Sequence, residues 1–586
     1  MPLSQVKPGM KGYGLTVFSG TEPERFDVEV IGILRNFLPR QDLILIRTSH
    51  HPRLEVARIV AGMSGSPIYI DGKMVGAYAY GWQFPSEAVA GVTPIQAMLD
   101  EAARPVPPIF DPVPRATPKP PKIAQAGAGT RYQGEVATYD LHAHASQLRS
   151  FGDGGASFGG ARLVPASTPI MLGGMGEGAA SLARELLEPL NLLPVQAGGA
   201  GNTLDPNAPA RYVDGGAIGV QLVSGDISAM GIGTVTRVEG PRLVAFGHPM
   251  MQAGVSALPT AVARVHWIMA TQARSFKMGE AVRPLGALVN DRQAAIVVDE
   301  RVKAPTFPVT CTIEGADGIP NPKWSFTVAH EQFMSPAFVA MAVGNALESS
   351  IAERWRDVTW TATTEIAIQG KGTLRVEDFG VSVGGTPDAR EWSSSRAVRA
   401  LGALLNNPWE PVTIEKVTTR FRLRYSRDVY RLRGSQLLTE EVDAGGVAKI
   451  RLHLVPYAGP EETRVIEVPI PHELSGREVE IELNPGYQEV PERAAPASVA
   501  ELMANLERQS FPPDSIVAAI KLPEHGVSHR GLVASRLPPS ALDVLRPARD
   551  TNAPEPFVAY ARKSFPIRYF IEGKDRVKVR VRQPMR

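Results

Sequence analysis

Residues 62–81 read GMSGSPIYIDGKMVGAYAYG. Glycine and serine flank the pair Met63-Ser64, and two β-rich runs, SPIYI and KMVGAYAYG, surround the turn signal Asp71-Gly72. That alternation predicts a hairpin. The stretch poses one question: whether Ser64 is a nucleophile on a built turn or a turn residue between strands. A nucleophilic serine needs an exposed hydroxyl, a base within reach and donors for an oxyanion. Gly62 permits backbone conformations that other residues resist, so its N–H and that of Ser64 can converge on one spot. Gly65 leaves room for a substrate carbonyl, and Pro67 fixes the exit into the next strand. The pattern is not Gly-x-Ser-x-Gly, and no parallel α/β rhythm surrounds it, so a hydrolase elbow is not expected.

Around this stretch the chain reads as strands. FDVEVIGIL (26–34) and DLILIRT (42–48) alternate as half-buried strands do, and TPIQAMLDEA (93–102) has helical spacing with Thr93 as its expected N-cap. Residues 1–102 are therefore expected to form one β-barrel. ARPVPPIFDPVPRATPKPPK (103–122) is too proline-rich for a sheet or helix interior, so 103–130 is read as a linker. Residues 131–300 read as a second β unit with a Gly-rich and helical insert, including AASLARELLEPLNLL (179–193). Residues 301–400 read as a mixed α/β extension with a helix near 338–355. Residues 401–490, with turn-separated strands such as VTIEKVTTRFRLRY and AKIRLHLV, suggest an Ig-like sandwich. Residues 491–586 form an α/β tail. The fold class expected is mainly β.

The bulk numbers fit. In 586 residues, 62 basic and 60 acidic side chains leave a net charge of +2, which gives no reason to expect nucleic acid or an anionic membrane as partner. The single cysteine, Cys311, cannot form an intrachain disulfide. MPLSQVKPGMKGYG carries no apolar signal core, and no apolar run reaches membrane-spanning length.

The base for Ser64 is sought among eleven histidines. His142 and His144 form an HxH pair without a third ligand nearby, so neither metal nor cofactor is expected. His50 and His51 lie shortly before Ser64. His248, in LVAFGHPM, is held between Gly247 and Pro249 at a strand end.

Two segments then carry a resemblance. VARIVAGMSGSPIYIDGKMVGAYAYG with AGVTPIQAMLDEA is similar to the serine-bearing barrel of the SpoIVB-type serine peptidases, which are trypsin-like in fold. DGGAIGVQLVSGDISAMGIGTVTRVEGPRLVAFGHPM, followed by PLGALVNDRQAAIVVD, resembles the histidine-bearing barrel. The resemblance implies a trypsin-like double β-barrel, Ser64 as nucleophile, His248 as catalytic histidine, and an oxyanion hole from the Gly62 and Ser64 amides. It implies a serine endopeptidase acting on protein or peptide substrates, without cofactor, in an exported bacterial protein of the periplasm or cell surface.

Three departures from the family pattern stand out. The serine barrel precedes the histidine barrel, which a cleft between two barrels tolerates because geometry defines a triad. The peptide-binding PDZ module is missing, since AIGVQLVSGDISAMGIGT runs straight through. The family aspartate slot holds Ser49, leaving Ser49, Asp42 or Glu55 as candidates to orient the histidine. The specificity pocket is expected near residues 77–92, with Tyr78, Tyr80 and Trp82 in its lining. The rival reading is an inactive peptidase-fold scaffold or binding protein, or one limited to cutting itself, with the C-terminal β domains offering a protein-binding surface.

Overall fold

A computed structural model describes residues 1–48, 51–82, 87–105, 139–152, 157–158, 161–165, 167–196, 205–272, 274–315, 322–350, 356–385, 387–491, 496–529, 532–534, 540 and 555–583. Strands hold 52% of the described residues against 19% in helices, so the mainly β expectation holds. The linker expected at 103–130 falls almost wholly outside the described residues.

The first seven strands are β1 (Lys11–Thr16), β2 (Glu24–Leu38), β3 (Gln41–Arg47), β4 (Val60–Ala61), β5 (Pro67–Ile70), β6 (Lys73–Trp82) and β7 (Val89–Pro94). All but β4 pair in the order β5-β1-β2-β3-β7-β6, and β6 returns to β5, all antiparallel. This closes a six-stranded barrel and leaves these six strands no free edge to aggregate. Inward residues Val28, Val30, Ile44, Ile46, Ile68, Ile70 and Val92 form its core. The expected hairpin between β5 and β6 turns at Asp71 and Gly72, with φ of 50° and 70°. Positive φ at both central residues matches the twist of the strands.

The chain continues through β8 (Ser157–Phe158), β9 (Ala161–Pro165), β10 (Thr168–Gly173) and β11 (Leu192–Gln196). Six further strands follow: β12 (Ala217–Gly225), β13 (Ser228–Glu239), β14 (Arg242–Ala245), β15 (Gly254–Met269), β16 (Ser275–Arg292) and β17 (Ala295–Asp299). They pair as β13-β14-β17-β16-β15-β12, and β12 returns to β13. A second closed antiparallel barrel results, filled by Ile218, Val235, Leu243, Leu258, Leu288 and Ile296.

Two helices flank the first barrel's serine loop: α1 (Pro52–Ala57) and α2 (Ile95–Ala102). Met98 of α2 packs with Ala77 of β6 against Val244 and Val297, so the barrels share an apolar seam. Thr93 does not cap α2; Pro94 stands at the N-cap without a side-chain bond. The Thr93 hydroxyl donates instead to the Gly247 carbonyl at 2.6 Å.

The second barrel's sheet runs on through strands Lys323–Ala329, Thr306–Glu314, Ile414–Arg424, Val358–Ile368 and Gly372–Ser382. Helix Met334–Ser350 is buried around nearly its whole circumference beside this sheet, which explains its uniform hydrophobicity. Strand Ile414–Arg424, grouped by sequence with the sandwich at 401–490, joins this sheet instead. It pairs in parallel with Thr306–Glu314 and antiparallel with Val358–Ile368. The C-terminal β body begins at Val429 and draws in strands of the expected tail, including Ser515–His529 and Asp575–Arg582, around one core of Ile450, Leu452, Ile481, Ile516 and Val579. Period-2 alternation marks each of these strands but not the sheet that receives it.

Candidate active site at the barrel seam

The serine loop joins β4 to β5. Gly62 and Gly65 take φ of 91° and 97°, a region that side chains disfavour. The loop spends the amides of Met63, Gly65 and Ser66 on the carbonyls of Val60, Tyr78 and Met63. None of these three is an expected oxyanion donor. Its carbonyls are tied to the second barrel: Gly62 accepts from Thr234 Oγ1 at 3.0 Å, Ser64 from the Thr234 amide at 2.9 Å, and Gly65 from Thr236 Oγ1 at 2.7 Å.

The histidine loop follows β14. The Gly247 amide bonds the Ala245 carbonyl at 2.9 Å and closes a γ-turn with Phe246 at φ 70°. This is the rare, strained hand of that turn. Thr93 of the first barrel holds the next carbonyl, that of Gly247. A Cβ on Gly247 would sit 2.9 Å from Ala79 Cβ, so only glycine lets the turn approach β6 so closely.

Both loops meet at Thr234. Its N–H binds the Ser64 carbonyl, and its C=O accepts from the Phe246 amide at 3.3 Å. Ser64 and His248 are thus brought to one seam from residues 184 positions apart. Both are buried, at 2% and 0% exposure, whereas the sequence reading expects an exposed serine hydroxyl. Tyr80 and Phe246 set their rings 6.4 and 6.0 Å from that of His248.

His248 Nδ1 lies 2.8 Å from the Pro249 carbonyl. A carbonyl only accepts, so Nδ1 carries the proton and the neutral ring keeps Nε2 as its basic nitrogen. Of the orienting candidates named from sequence, Asp42 and Glu55 do not fill this role. The Asn36 amide and then the Arg35 guanidinium, each at 2.7 Å, hold the Asp42 carboxyl below its usual pKa. Glu55 stands exposed on α1, and Ser49 lies outside the described residues. Neither Asp42 nor Glu55 bonds His248. His51 stacks on Phe18 at 4.1 Å and stands at the N-cap position of α1 without a side-chain capping bond; His50 lies outside the described residues. His142 contacts Ser393 and Glu185, while His144 contacts Tyr139, so the two histidines of the HxH pair have separate partners. Tyr78 turns into the first barrel's core, leaving Tyr80 as the expected pocket aromatic that faces the histidine.

Sequence reasoning missed Lys277. Its side chain on β16 is fully buried, and its stem lines Gly62, whose Cβ would fall 3.1–3.3 Å from three lysine carbons. Nζ donates to Thr16 of the first barrel at 2.7 Å and Thr234 of the second at 3.1 Å. No carboxylate pairs with it among the described residues, and burial lowers its pKa to about 7.

Unfolded, that lysine titrates at about 10.4. Between pH 7 and 10 the unfolded chain therefore binds more protons, and stability rises with pH by about 1.4 kcal/mol per unit from this group. Lys277→Met removes that slope. The variant is expected to gain melting temperature over wild type at pH 7 and to lose that advantage by pH 10. Parallel melting profiles across this range would contradict the assignment.

Residues 3–98 match the family of the SpoIVB peptidase S55. The matched segment is the serine-bearing barrel with the first half of α2, so the S55 match contains Ser64 but not His248. No curated protein and no solved structure matches the chain. The S55 family is one of serine peptidases acting on protein substrates. Among the described residues no helix is long and apolar enough to cross a membrane, and no His, Cys, Asp and Glu cluster could hold a metal.

Proposed function

We propose that the protein is a serine endopeptidase whose site is completed across the two barrels. Ser64 attacks the scissile carbonyl, His248 Nε2 takes its proton and returns it to the leaving amine, and the Gly62 and Ser64 amides receive the oxyanion. The observation that carries this reading is the shared hold on Thr234, whose N–H binds the Ser64 loop and whose C=O binds the His248 loop, so that one residue joins both. The S55 match over the serine barrel supports it independently. With it goes a location outside the cytoplasm, in an exported bacterial protein. Burial of both side chains favours the rival, a binding protein on a peptidase fold.

Reaction with a fluorophosphonate, read by intact mass and peptide mapping, separates the two. The peptidase reading expects one adduct, on Ser64, and at least a hundredfold slower labelling in His248→Ala, in line with the loss of a positioned base of about 10²–10⁴. A folded wild type that takes no label supports the scaffold.

A further inference from the structure

Asp291 lies near the end of β16 and is 1% exposed. Oδ1 accepts from the Met250 amide at 2.7 Å, and Oδ2 accepts from the amides of Met251 at 2.8 Å and Ala253 at 3.2 Å. Burial pushes its pKa up, while these bonds and one from Gln252 favour the anion. Every contact is a donor, the surrounding a carboxylate requires and a protonated acid would waste. The carboxylate thus organises the whole turn that follows His248.

One of these bonds has a second end. The Met250 N–H and the Pro249 C=O belong to the same peptide group. The N–H points to Asp291 and the C=O to His248 Nδ1, at 2.7 and 2.8 Å. An anion on the N–H side draws electron density toward the oxygen and strengthens that oxygen as an acceptor. We propose that Asp291 is the third member of the catalytic group, acting on His248 through the Pro249–Met250 peptide rather than by direct contact. The inference rests on the peptidase reading for its catalytic meaning, but the coupling itself exists whether or not Ser64 reacts.

Asp291 is a positioning residue in this scheme. It keeps its charge throughout: the Ser64 proton goes to His248 Nε2, the Nδ1 proton stays on the bond to Pro249, and Nε2 later yields its proton to the leaving amine. The peptide stabilises the imidazolium and fixes its tautomer, the two roles that a directly bonded aspartate fills in a serine triad. Among the described residues Tyr80 faces His248 from β6, and burial pushes its phenol far above neutral. Arg292, next to Asp291, bonds the Asn290 side chain.

The test is the pH dependence of fluorophosphonate labelling in wild type and Asp291→Asn. Removing the anion destabilises the imidazolium, so the acid limb is expected to move down by about one pH unit, and the plateau rate to fall tenfold or more. A turn that is merely displaced lowers the plateau and leaves the limb in place; that result overturns the proposal. Nitrogen NMR of histidine-labelled wild type, with His248 assigned by its loss in His248→Gln, covers a variant that fails to fold. The proposal requires the Nδ1–H tautomer with an exchange-protected proton, and an Nε2–H tautomer sinks it. If wild type takes no label, the peptidase reading fails by itself. The NMR titration midpoint of His248 in Asp291→Asn then decides the coupling: a downward shift upholds it, and an unmoved midpoint overturns it.

Discussion

Ser64→Ala is expected to abolish proteolysis of casein while leaving the fold intact. The change deletes one oxygen from a side chain that is 2% exposed, and the loop's carbonyls are held by the amide and hydroxyl of Thr234 and by the Thr236 hydroxyl, bonds that do not involve Oγ. Loss of the nucleophile in a serine peptidase costs about a millionfold in turnover. No background rate from the same protein would mask such a change. Equal casein cleavage by wild type and variant would end the enzyme reading. A narrower outcome is also visible: a wild type that ignores casein but shortens on storage, with Ser64→Ala stable in intact mass, is a protein that processes only itself.

Gly65→Ala is expected to be the most damaging single methyl in the serine and histidine loops. The added carbon would stand 1.9 Å from the Thr234 carbonyl oxygen and 2.5 Å from the Phe246 nitrogen, at a φ of 97°. Both contacts are backbone, so neither can swing aside. Backbone strain of about 1–3 kcal/mol adds to a clash that must push the serine loop off the second barrel, for a loss on the order of 4 kcal/mol or more. Gly72→Ala is the control. It has φ of 70° but open space around it, so only the conformational cost of about 1 kcal/mol applies. Urea unfolding of the two variants checks this, and similar losses in both would show that the Gly65 contact with Thr234 and Phe246 contributes nothing.

Much of this arrangement is legible in the sequence because it is local. Asp71-Gly72 writes its own turn, strand alternation marks inward residues, and the glycines around Ser64 announce positive φ. What was not legible is long-range. Thr93 reads as a helix cap, yet its hydroxyl is claimed by a carbonyl 154 residues away. Strand Ile414–Arg424 looks like its C-terminal neighbours, but its partners are fixed by Thr306–Glu314 and Val358–Ile368. Lys277 breaks its strand's pattern. Phe276 and Met278 face partly outward while the charge points in, the reverse of what alternation predicts. Such local violations gather at functional sites. Asp291 is hidden for a simpler reason: an aspartate near a strand end has many ordinary uses, and only the folded turn shows four amides converging on it.

The burial of Ser64 and His248 has a kinetic consequence. If the described state is the resting one, each encounter with a reagent must wait for the seam to part. At low reagent concentration modification then follows the product of an opening equilibrium and a chemical step. At high concentration it levels off at the opening rate itself, as amide exchange does when closing is slow. A saturating rate shared by chemically different inhibitors would measure that opening directly, and conditions that loosen the barrel seam would raise it for all of them alike.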